Sequence, residues 1–121
     1  DEAITIFNKC LSINNDAFYL WSTRGDCFYE LGDYNRAFSD YWMAIQIEPA
    51  GAVLDKCARS LFRIGNHKYA IDTISKAIAQ AESPEPFLVM EEMLKRMENF
   101  DQAKMIRELG SQRFPSDSRF K

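Results

Sequence analysis

Apolar side chains recur every three or four residues along most of this chain, in runs of about a dozen broken by short polar stretches. That periodicity predicts amphipathic helices joined by tight turns. Seven are expected, near 1–14, 18–31, 34–48, 51–64, 67–82, 86–97 and 100–113. Asn14, Asn15 and Asp16 make the first break, and Ser83, Pro84, Glu85 and Pro86 a later one. Gly32 with Asp33, and Gly65 with Asn66, read as helix-to-helix turns in which glycine supplies a left-handed C-terminal cap and the next residue an N-cap. Glu98 stands where a third turn glycine is due, which predicts a different cap there, with Asn99 as N-cap. The segment from Pro115 to Lys121, with Ser116, Asp117, Ser118 and Arg119, predicts a frayed tail.

The pattern also repeats over a longer distance. Ala3, Ala37, Ala70 and Ala103 stand 34, 33 and 33 residues apart, each with similar neighbours. A fixed period of this size indicates stacked supersecondary units sharing a continuous core, so function belongs to a surface. The second copy runs W-x2-R-G-x2-F from Trp21, then Tyr34, Ala37, Tyr41, Ala44 and Pro49. It resembles the tetratricopeptide repeat, W-x2-L-G-x2-Y followed by A-x3-F and a closing proline, with Arg24 at the leucine place and Phe28 at the tyrosine. The first copy keeps Ala3, Phe7, Cys10 and Ile13, and the third Leu54, Ala58, Leu61, Gly65, Ala70, Ile74 and Ala77. The fourth keeps Phe87, Leu94, Phe100, Ala103 and Pro115, but has Glu91 where a small residue is expected and Arg107 where an aromatic is usual.

The resemblance implies an all-α fold, a right-handed superhelical solenoid of antiparallel helix hairpins. One segment is expected over 1–121: residues 1–17 as the second helix of a truncated repeat whose first helix would precede residue 1, repeats at 18–50 and 51–83, a divergent repeat at 84–116, and the tail 117–121. Small residues have a physical role in such a stack, because helices approach closely only where a small side chain lets large neighbours interdigitate. Gly25 and Ala58 serve this on first helices and the four alanines on second helices. Cys10, Ala44, Ala77 and Gly110, seven residues after each alanine, are placed to receive the next repeat.

Composition narrows the function. The chain is 46% hydrophobic with a net charge of −3 and a pI near 5.2, so nothing marks a general polyanion binder and no nucleic-acid partner is expected. No run reaches the roughly 18 apolar residues of a membrane span, and no signal-peptide pattern occurs. Cys10, Cys27 and Cys57 are an odd number without a C-x2-C pair and read as reduced thiols, which points to a cytoplasmic or nuclear compartment. The sole histidine, His67, opens a second helix without paired ligands, so no metal is expected. No phosphate loop, dinucleotide fingerprint or zinc-protease motif is present, so neither catalysis nor a cofactor is expected. Met90 and Met97 share a helical stripe with Phe87 and Leu94 and predict core packing, whereas Met93 lies off that stripe and is expected at the surface.

In the resembled family, first helices line a concave groove. This implies a groove of Tyr19, Thr23, Asp26, Tyr29 and Glu30 from the second copy and Lys56, Arg59, Phe62 and Arg63 from the third, joined by Leu88, Val89, Glu92, Lys95 and Arg96 from the fourth. Lys56, Arg59 and Arg63 fall on one helix face by spacing alone, and such a stripe suits the acidic groups of a protein or peptide ligand. Alternatively, Asp26 and Glu30 pair across the repeat boundary with Arg59 and Arg63. The clamp by which family co-chaperones hold chaperone C-terminal carboxylates, Lys and Asn, then Asn, then Lys and Arg, is not kept. One register offers Thr23, Ala52 and Lys56 at its second and third repeats; the other offers Ser22, Asp26, Lys56, Glu85 and Val89. Two functional classes result: a peptide-binding adaptor, and an architectural segment of a larger solenoid or assembly.

Overall fold

A computed structural model describes residues 1–121, and it is all-helical: α1 (Glu2–Ile13), α2 (Phe18–Glu30), α3 (Tyr34–Ile47), α4 (Gly51–Ile64), α5 (His67–Ala79), α6 (Glu85–Arg96), α7 (Phe100–Arg113) and a closing 3-10 turn, Ser118–Phe120. Packing is sequential, each helix lying against its neighbours along the chain. The pairs α2–α3, α4–α5 and α6–α7 form hairpins, and the core runs as a ribbon between them. Ala37, Ala44, Ala58, Ala70, Ile74 and Ala77 are wholly buried in that ribbon.

Three hairpin turns share one geometry at 33-residue spacing. Gly32 (φ 79°) and Gly65 (φ 103°) are left-handed. The amide after each donates to a carbonyl five residues back, Asp33 to Phe28 and Asn66 to Leu61, both at 2.9 Å. This doubled closure satisfies carbonyls that the helix end leaves open. Glu98 does the same at φ 61°, with Asn99 donating to Leu94 at 2.8 Å. The expected change of cap therefore does not occur: the hairpin imposes the left-handed turn on a residue with a Cβ. Asn99 occupies the N-cap place of α7 without a side-chain capping bond.

Close approach is explicit at Gly25, where an added Cβ would lie 2.8 Å from Cε1 of Tyr41. The equivalent pair in the fourth copy is Glu91 and Arg107. There Arg107 Nη1 donates to Glu91 at 3.0 Å, and Glu91 is 5% exposed. Arg24, at the leucine place, donates two bonds to Asp40 at 2.8 and 2.7 Å and a third to Asn8 of α1 at 2.7 Å. Its guanidinium also lies over Trp21 and Phe28.

Three further expectations are corrected. Met93 is 4% exposed and belongs to the core, while Met97 is exposed. A first helix has two buried faces, and the single stripe through Phe87 and Leu94 accounted only for the one against α7; Met93 faces back toward the preceding hairpin. The tail is not frayed. Phe120 is buried against Gly110 and packs edge-on to Phe87 at 6.4 Å, so the notch expected to receive a further repeat holds the tail's own aromatic ring. Helix α5 ends at Ala79 rather than 82. The Arg113 guanidinium donates to the Ile78 carbonyl in the last turn of this helix at 3.4 Å and to the Ala81 carbonyl just beyond it at 3.3 Å.

Candidate functional site

The inner faces of α2, α4 and α6 form two adjoining hollows of opposite electrostatic character. Between α4 and α6 lies a pocket of about 290 Å³. Phe62, Leu88, Val89 and Met93 supply its apolar lining, and Arg59, Arg63 and Arg96 bring cationic groups to it. Tyr29, Glu85 and Glu92 complete it. Arg59 donates to Asp55 at 3.2 Å and Arg96 to Glu92 at 3.1 Å, each within one helix. Arg63 has no carboxylate partner; its guanidinium sits 5.5 Å from the Tyr34 ring centroid. An apolar lining with converging guanidinium groups suits a hydrophobic side chain accompanied by carboxylates.

The hollow between α2 and α4, about 410 Å³, is largely satisfied from within. The Tyr41 hydroxyl donates to Asp26 at 2.6 Å, and Lys56 Nζ donates to the other oxygen at 3.0 Å. Burial, and then the bond to Asp26, push the Tyr41 hydroxyl pKa up, so it remains a donor. Burial also raises the Asp55 carboxyl, against the opposing pull of Arg59. Glu30 lines this hollow without an ion pair, while Arg59 borders both hollows. The alternative pairing of Asp26 and Glu30 with Arg59 and Arg63 does not form: Lys56 answers Asp26, and Arg59 turns to its own helix.

The expected groove residues thus divide. Tyr29, Arg59, Phe62 and Arg63 meet Leu88, Val89, Glu92 and Arg96 in the α4–α6 pocket, and Asp26, Glu30 and Lys56 line the other hollow. Tyr19 and Thr23 line neither; Tyr19 is exposed, and the Thr23 hydroxyl donates to the Tyr19 carbonyl at 2.6 Å. Lys95 points away, 3.6 Å from Glu91 and beside Phe100 and Arg107. Glu85, Met93, Tyr41 and Asp55 were missed. Glu85 sat inside a proline-flanked break, and Met93 fell off the stripe used to sort core from surface.

His67 stacks on Phe62 at 4.2 Å and so backs one wall of the pocket. Burial pushes the Cys57 thiol up to about 12, and all three cysteines are unpaired. No three His, Cys, Asp or Glu side chains converge as metal ligands, and no helix is long and apolar enough to cross a membrane.

No family model matches the chain, and no curated protein matches it. Solved structures do. MamA superposes with a TM-score of 0.84 at 18% identity, over 97% of this chain and 70% of that one. YrrB, described as a TPR protein with an unusual peptide-binding site, gives 0.74 at 17% identity over 94% of this chain and 60% of its own. The TPR domain of Arabidopsis OM64 gives 0.74 at 14% identity, covering 86% and 88% of the two chains. Identity this low shows a shared fold and no more.

Proposed function

We propose that this chain, whose fold is the tetratricopeptide-repeat solenoid, is a non-catalytic protein-interaction segment that binds an acidic peptide or helix of a partner in the groove lined by α2, α4 and α6. One observation carries the reading: an apolar pocket at the α4–α6 boundary is edged by three arginines, one of which, Arg63, has no carboxylate partner. A charged group left unanswered beside apolar surface is well used by a ligand that brings the opposite charge. The neighbouring hollow, where Lys56 and Asp26 already pair, offers less to such a ligand. The unpaired cysteines fit an intracellular setting, and the lack of the chaperone-tail clamp argues for a different peptide class.

The test is binding of a labelled amidated peptide with a central phenylalanine flanked by glutamates, read by fluorescence anisotropy. Arg63→Glu is expected to weaken binding at least tenfold and to lower its salt sensitivity, with Arg59→Glu acting in the same direction. Unchanged affinity in both variants removes the pocket from consideration.

A second reading, end-to-end stacking within a larger assembly, is favoured by the outer face of α1, where Ile6 and Ile13 are 58% and 87% exposed. Concentration-dependent light scattering that is abolished by Ile6→Glu with Ile13→Glu supports it. A monodisperse monomer at all concentrations contradicts it.

A further inference from the structure

The tail after α7 reaches the groove as well as packing against Gly110. A Cβ at position 110 would lie 2.6 Å from Cε1 and Cζ of Phe120, so the ring enters only because Gly110 has no side chain. Seating Phe120 places Arg119 beside the start of α6. There its Nη1 donates to Glu85 at 2.8 Å, while Nε and Nη2 hold Asp117 at 3.0 and 2.7 Å. These bonds hold the Asp117 carboxyl down at about 2 and raise the Arg119 guanidinium.

Glu85 is also one of the two carboxylates in the α4–α6 pocket. The other, Glu92, is answered from its own helix by Arg96. Glu85 has only the tail, and its charge is felt across the repeat boundary, where it helps push the Asp55 carboxyl up.

We infer that Arg119 is a specificity-determining residue of the groove: by neutralising Glu85 it leaves the pocket arginines free for a carboxylate ligand, so seating of the tail and binding of an acidic partner reinforce each other. The inference rests on the acidic-ligand reading proposed above. With Arg119 withdrawn, Glu85 repels an incoming carboxylate and competes for the same guanidinium groups. Linkage makes the effect reciprocal, since a ligand that binds better to the seated state also holds the tail in place.

A double-mutant cycle with the glutamate-flanked phenylalanine peptide tests this at low salt. Arg119→Ala is expected to weaken binding about two- to fivefold, the size of an exposed charge effect. Adding Glu85→Gln to Arg119→Ala is expected to restore the affinity that Arg119→Ala loses. Phe120→Ala, which frees the tail without touching its charges, is expected to reproduce the loss. If Arg119→Ala binds like the unaltered chain, or weakens binding equally with and without Glu85→Gln, the inference is overturned while the groove reading stands. If the unaltered chain does not bind the peptide, the groove reading falls and this inference with it.

Discussion

The α2–α3 and α6–α7 hairpins solve one packing problem with different chemistry. In the first, Gly25 lets the Tyr41 ring lie flush against α2, and Tyr41 completes its hydrogen bonding through Asp26. In the second, the two equivalent positions carry Glu91 and Arg107, joined by an ion pair where the first hairpin has small against aromatic. The exchange also runs the other way. Arg24 and Asp40 form a buried pair in the first hairpin where the second has Met90 and Ile106. Position in the repeat therefore decides which side chains meet, and a change of chemistry is tolerated when both members change together.

The largest separation between the hairpins is expected on removing one member of each pair. Arg24→Met strands Asp40, which is 3% exposed and has no second cation, and is expected to cost about 3 to 5 kcal/mol in urea unfolding. Arg107→Met leaves Lys95 within 3.6 Å of Glu91 and is expected to cost about 1 to 3 kcal/mol. Equal losses would break the comparison. A double change, Glu91→Ala with Arg107→Ile, installs the pair that α4 and α5 use, Ala58 and Ile74. It is expected to stay within about 1 kcal/mol of the original stability, while each single change costs more. A double variant that loses the sum of both singles would show that Glu91 and Arg107 are not coupled through their ion pair.

The smallest effect concerns the turn. Glu98→Gly is expected to raise stability by about 0.5 to 1 kcal/mol, since relief of the left-handed strain exceeds the added unfolded-state entropy. A lower urea midpoint in this variant would mean that Glu98 makes a contribution beyond the cap.

The fold was legible because its determinants are periodic. Each of the four copies has its alanine and its helical stripes, and two of them a turn glycine, so spacing alone places seven helices. What escaped was set by tertiary context. Glu98 takes the glycine conformation because the hairpin requires it, and no local propensity signals that. Met93 is buried because a first helix packs on two sides, and Phe120 because Gly110 opens a notch that only the folded α7 creates. The groove was legible as a helix face but not as a charge map. Lys56 and Arg59 find partners on different helices, leaving Arg63 alone, and that division depends on side-chain reach. Glu85 in that pocket is answered by a residue 34 positions away in the tail, beyond any short-range pattern.

The central claim is that the α4–α6 boundary, and no other surface, receives an acidic partner. Titrating the isotopically labelled chain with the glutamate-flanked phenylalanine peptide, while following backbone amide shifts, tests it most directly. The account predicts saturable shifts concentrated at Phe62, Arg63, Leu88, Val89 and Met93. Shifts confined to α1 around Ile6 and Ile13, or to the outer face of α3 around Trp42, would contradict it.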